Sequence, residues 1–179
     1  MKSVKEQSAR PACRWTKPDG DQLKINIDGA FHSTAGSGGW GFVIRDNTGV
    51  AVGAGAGKIR HAVSAIHTEA EACLQELSAV AVWGISNIVL ESDCQTLLHA
   101  VQSSEYDRAP EGVLFRDIHQ FICLNFSTFA FSFVPRDCNK VTHALAALGS
   151  NGQEPQRLWL EAVPDDVSVL VASDRAVPV

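Results

Sequence analysis

Lys24-Ile25-Asn26-Ile27-Asp28-Gly29-Ala30-Phe31 is the stretch on which the reading of this chain turns. Its apolar alternation of β-branched residues predicts a strand, with Ile25, Ile27 and Phe31 on one face and Asn26 and Asp28 on the other. Aspartate is disfavoured inside a strand. A carboxylate there loses its hydration unless hydrogen bonds, a cation or a metal ion compensate it. Asp28 is therefore a candidate ligand-binding group, and Gly29 beside it leaves room for a ligand to come close to the backbone.

Outward from this strand, His32 to Gly39 reads as a loop and Trp40 to Arg45 as a second strand. Asp46-Asn47-Thr48-Gly49 is a hairpin turn into a third strand over 50–59, which makes an antiparallel meander. The period then changes. Ser64 is a plausible N-cap, and apolar residues recur at helical spacing until Gly84. At 100° per residue Glu69 falls at the margin of the buried stripe, while Glu71 and Glu76 read as ordinary helix charges. Asn87 to Asp93 is a buried strand, placed parallel to the first by the crossover between them.

A short helix over 94–102, with Ser92 or Asp93 as its cap, is followed by a turn-rich connection over 103–110 and a helix over 112–124. A fifth strand covers 128–134, with Phe129, Phe131 and Phe133 along an apolar face. Asn139 caps a last helix over 141–148, closed by Gly149. The apolar snippets 158–160 and 167–171 find no place in this scheme. The expected fold class is α/β, or mixed α+β: a five-stranded mixed sheet, antiparallel in strands 1–3, with flanking helices. The expected organisation is a basic flexible lead-in over 1–22 with Trp15 as an anchor, a body over 23–150 and an acidic extension over 151–179.

The 179 residues are 45% hydrophobic and 20% charged, a globular composition. No apolar run is long enough to span a bilayer and the N-terminus lacks a signal core, so an intracellular protein, nuclear or cytoplasmic, is expected. A net charge of −5 argues against non-specific nucleic-acid binding through the whole surface. The charge is uneven, however: Lys2, Lys5, Arg10, Arg14, Lys17 and Lys24 outnumber the acids of the lead-in, and acids dominate the tail. Cys13, Cys73, Cys94, Cys123 and Cys138 are scattered without zinc or disulfide spacing and read as reduced thiols.

Asp28 and the end of the parallel strand at Asp93 bring two carboxylates together, and Glu69 arrives from the intervening helix. Three converging carboxylates without a balancing Lys or Arg repel one another unless divalent cations sit between them. All-oxygen ligands suit Mg²⁺ or Mn²⁺, and paired ions on carboxylates are apparatus for phosphodiester hydrolysis. Gly36 to Gly41 matches the dinucleotide pattern G-x-G-x-x-G but precedes a strand, where that motif requires a helix.

These stretches, with Trp15-x-x-Pro18, Gly39-Trp40-Gly41-Phe42-Val43-Ile44-Arg45-Asp46, His67-Thr68-Glu69-Ala70, Leu90-Glu91-Ser92-Asp93 and Val134-Pro135-Arg136-x-x-Asn139, resemble the ribonuclease H family, in particular the plant reverse-transcriptase-like, retroelement-derived domains. The resemblance implies cleavage of the RNA strand of RNA–DNA hybrids, leaving a 3′-hydroxyl, at a two-ion Mg²⁺ or Mn²⁺ site. It implies Asp28, Glu69 and Asp93 as catalytic metal ligands, Glu69 also near the ribose 2′-hydroxyl, with Asn26, Gly29 and Asn139 as substrate contacts.

The family's fourth carboxylate falls four residues after Asn139, where this chain has His143. His143 is thus the fourth candidate catalytic residue and metal ligand, although imidazole is a poor Mg²⁺ ligand and accepts Mn²⁺. The chain also departs from the family in lacking a histidine in the loop before Asn139 and a basic helical handle around 103–110. The alternative expectation is a catalytically weak or inactive ribonuclease H-like module that binds nucleic acid or a protein partner.

Overall fold

The computed structural model describes residues 14–175. Strands β1 (Leu23–His32), β2 (Ser37–Arg45) and β3 (Ala51–Ile59) form the antiparallel meander. Helix α1 (Ala65–Val82) crosses to β4 (Asn87–Ser92), and α2 (Gln95–Gln102) and α3 (Gly112–Asn125) lead to β5 (Thr128–Phe133). A 3₁₀ turn (Arg136–Cys138) enters α4 (Lys140–Asn151), followed by β6 (Arg157–Leu160) and α5 (Asp165–Arg175). The sheet runs β5-β4-β1-β2-β3-β6, with β1–β4 and β4–β5 parallel and the other pairs antiparallel.

The sheet therefore has six strands, not five. The sixth is an edge strand of four residues, too short to show a period of its own. The acidic extension is likewise part of the domain: Val167 and Val171 of α5 join Val43, Ala54, Ala56, Val141 and Leu145 in a core on one face. Ile25, Ile27, Trp40, Phe42, Ile88 and Leu90 pack beneath α1, α2 and α3 on the other.

Local chemistry sets the element ends. The Ser64 hydroxyl accepts the His67 N–H at 3.0 Å, capping α1, and Gly84 ends it at φ +74. Gly149 does not close α4, which continues to Asn151; a Cβ there would collide with the Gly57 backbone, so this glycine serves close helix–sheet approach. A Cβ on Gly41 would strike Ala146 and Leu145, so α4 lies directly on β2.

Trp15 is buried and its indole N–H donates to Asn26 at 2.9 Å, so the lead-in is anchored to β1 at this residue. Lys2, Lys5 and Arg10 lie outside the described residues. Cys73, Cys94 and Cys123 are free thiols. Cys138 is disulfide-bonded, which corrects the reading of reduced thiols throughout. Among the described residues no helix is long and apolar enough to cross a membrane.

Candidate active site

The pairing of β1 with β4 stops at Ile27 opposite Ser92, so Asp28, the next residue of β1, and Asp93, just past the end of β4, emerge as neighbours. Gly29 admits α1: its absent side chain would stand 3.2 Å from the Glu69 Cα. Asp28, Gly29, Glu69, Asp93, Arg136 and His143 thus line one open cavity of about 610 Å³. Asp28 of β1, Glu69 of α1, Asp93 just after β4 and His143 of α4 stand together here.

The electrostatics are those of crowded carboxylates. Burial, then the Asp93 charge, pushes Asp28 from 3.8 up to about 6, partly opposed by its hydrogen bond from His143. Burial, then Asp28 and Asp93, raises Glu69 well above the ordinary range, against the Gly29 backbone N–H. Glu69 Oε2 is buried without a hydrogen-bond partner. Cys94, at the cavity wall, is pushed up to about 11 by burial and Glu69, so it is not a thiolate nucleophile.

His143 Nδ1 lies 3.0 Å from Asp28 Oδ2. Arg136 Nη2 lies 3.1 Å from Nδ1 and 3.2 Å from Nε2. The tautomer with Nδ1–H donating to Asp28 and Nε2 accepting from Arg136 satisfies both partners. In this arrangement His143 orients the Asp28 carboxylate.

Two of the expected substrate contacts are displaced from the cavity surface. Asn26 shares a face with Asp28 but sits two residues, roughly 7 Å, back along the strand. It is fully buried there, between the Trp15 indole N–H, Arg45 and Glu91. Asn139 is also buried, and its amide donates to the Ile27 carbonyl at 2.8 Å and reaches Asp93 Oδ1 at 3.5 Å. It positions Asp93. Gly29 remains on the cavity wall.

The sequence reading missed two groups. Arg136, quoted only within a motif, supplies the cation facing the carboxylates. Glu76, read as an ordinary helix charge, is fully buried behind Glu69 with neither carboxyl oxygen hydrogen-bonded. The Gly41 and Asp28 N–H groups approach it without reaching bonding geometry, while burial and Glu69 raise it well above the usual range. Seven residues on a helix return to within 20° of the same azimuth, so the position of Glu69 carried the signal for Glu76.

The oxygen-donor chemistry and the orphaned Glu69 oxygen fit a hard divalent cation. Among the described residues, however, no group of three or more His, Cys, Asp or Glu side chains is already arranged as a metal-holding cluster. The carboxylates are close enough to perturb one another and would draw together around an ion.

The architecture is that of the ribonucleases H1. The enzyme of the halophilic archaeon Halobacterium salinarum superposes with a TM-score of 0.60 at 24% identity, over 72% of this chain and 96% of that one. LC11-RNase H1, isolated from compost by a metagenomic approach, gives 0.66 at 19% identity over 73% and 96%. The same protein in complex with an RNA/DNA hybrid gives 0.65 at 19% identity over 71% and 95%. Likeness at these identities establishes a ribonuclease H fold. More specifically, residues 26–149 match the reverse transcriptase-like family, and the chain belongs to that family. No curated protein sequence matches it.

Proposed function

We propose that the chain is a metal-dependent endonuclease of ribonuclease H type that hydrolyses the RNA strand of RNA–DNA hybrids. The observation that carries this reading is the convergence of Asp28, Glu69 and Asp93 on one open cavity, with a buried Glu69 oxygen left unpartnered. The RNA/DNA hybrid bound by LC11-RNase H1 on the same fold supports the substrate class. Asp28, Glu69 and Asp93 would hold Mg²⁺ or Mn²⁺, which supplies Lewis acidity toward the phosphate and a water of lowered pKa.

The chain's own residues do the rest. His143 fixes the Asp28 carboxylate through Nδ1–H, Asn139 fixes Asp93, and Arg136 places a positive charge against the developing phosphate charge. Gly29 lets α1 approach β1 and so brings Glu69 beside Asp28. A second reading, a weak or inactive module, draws on the His143–Asp28 contact: one Asp28 oxygen is already committed, and the family's fourth carboxylate is absent.

Cleavage of an end-labelled hybrid under Mg²⁺ and under Mn²⁺ tests both. Expected is cleavage favoured by Mn²⁺, lost in Asp28→Asn, with His143→Asp gaining activity in Mg²⁺. Silence of the wild type and of His143→Asp under either ion sinks the nuclease and leaves the module.

A further inference from the structure

A second cavity, of about 400 Å³, opens on the opposite flank of α1. Ala65 and Glu69 face the carboxylate cavity, whereas His67, Glu71 and Gln75, about 200° around the helix, line this one together with Lys58, Arg60 and His61. We propose that it is a phosphate-binding subsite, taking a backbone phosphate of a strand that continues from the carboxylate site. The inference rests on the nucleic-acid reading above.

Three observations converge on an anion. Arg60 and His61 are exposed and have no hydrogen-bonding or ion-pairing partner among the described residues. His67 Nδ1 is buried without a partner, a polar atom in a cavity wall that an incoming oxygen or hydroxyl would satisfy. Lys58 Nζ donates to the Ser150 and Gly152 carbonyls at 3.0 and 3.2 Å, which fixes the ammonium in place and leaves its third N–H free. The one acid in the wall, Glu71, already accepts from Gln75 Nε2 at 3.2 Å. The lining is therefore net cationic on a chain of net charge −5, so an anion is drawn here and not to the surface at large.

The spacing suits a continuous strand. Opposite flanks of one helix lie roughly 10 Å apart, about three nucleotides at 3.4 Å of rise per residue of one strand. Trp40, itself buried, is also among the lining residues.

The test is equilibrium binding in EDTA, so that cleavage plays no part. A blunt RNA–DNA hybrid is compared with one whose RNA strand overhangs at either end, for wild type and for Arg60→Gln/His67→Gln. Expected is tighter binding of an overhanging hybrid by wild type, a loss of about tenfold in the variant, and a salt slope shallower by about one phosphate contact. Inorganic phosphate, titrated while the His61 and His67 imidazole resonances are followed by NMR, should shift both.

Equal affinities and slopes in wild type and variant overturn the subsite. Phosphate shifts without any effect on the overhanging RNA assign a free-anion site and overturn the strand subsite as well. Because binding is read without catalysis, a silent cleavage assay together with a variant-sensitive overhang rejects the nuclease and retains the subsite.

Discussion

Asp28 is held where its charge is unwelcome, and that has a sign. Its pKa is 3.8 before folding and about 6 afterwards, so between these values the folded chain keeps a proton that the unfolded chain has released. Stability therefore falls as pH rises through this window, by about 2 to 3 kcal/mol when the shift is converted. Asp28→Asn should raise the melting temperature at pH 7.5 while abolishing cleavage, and thermal melts at pH 4 should show the gap nearly closed. An equal gap at both pH values would mean that His143 and Arg136 fully compensate the carboxylate. Glu76 makes a complementary case, because it touches neither cavity and both oxygens are unpartnered. Glu76→Met removes two buried unsatisfied atoms and should stabilise the fold by about 1 to 3 kcal/mol with cleavage retained; a loss of stability in urea melts would show that the carboxyl is solvated within the core. Asp28 was legible in the sequence because a lone acid breaks a strand pattern. Glu76 was passed over because acids on a helix normally face water, although its azimuth matches that of Glu69.

The element contacts explain how a histidine from the last long helix reaches the first strand. α4 lies on β2 because Gly41 offers no Cβ against Ala146 and Leu145. Gly41→Ala should push the helix outward, at about 1 to 3 kcal/mol of overpacking, and carry His143 away from Asp28. A displacement near 1 Å is enough for about a hundredfold loss of cleavage. Gly84→Ala is the control: a Cβ there meets nothing within 4 Å, so the strain of its left-handed φ should cost about 1 kcal/mol and leave cleavage intact. Comparable losses of cleavage in the two variants would detach the α4 seating from the site. Strands β1 to β5 and helices α1 to α4 were readable because each carries a period and an end signal. β6 and α5 were not: four edge residues have no measurable alternation, and α5 presents only Val167 and Val171 as buried residues. Gly149 misled for the opposite reason, since a glycine needed for close packing looks like a terminator in sequence.

Over the whole molecule, the two ends of the described chain meet behind β1. Arg45, fully buried, donates to Asp174 of α5 at 2.6 Å and to Asn26 at 3.1 Å, and its guanidinium carbon stacks 4.0 Å from the centre of the Trp15 ring. Asn26 in turn donates to Glu91, which pairs with Lys24 at 2.7 Å. Burial lowers the Arg45 pKa, and Asp174 and then Glu91 oppose that shift. This clasp ties Trp15, β1, β2, β4 and α5 into one unit on the strand that carries Asp28. Asp174→Ala leaves a buried guanidinium without its closest carboxylate and should lower stability by about 3 kcal/mol. Arg45→Met added to that variant removes the stranded charge, while the Trp15 indole still satisfies Asn26, so the double variant should recover much of the loss. Urea titrations of the two variants decide it. Recovery in the double variant assigns the loss to the uncompensated charge, because no hydrogen bond is restored by adding methionine. An Asp174→Ala variant as stable as wild type would show that Glu91 and Trp15 hold Arg45 unaided and that α5 is fastened by Val167 and Val171 alone.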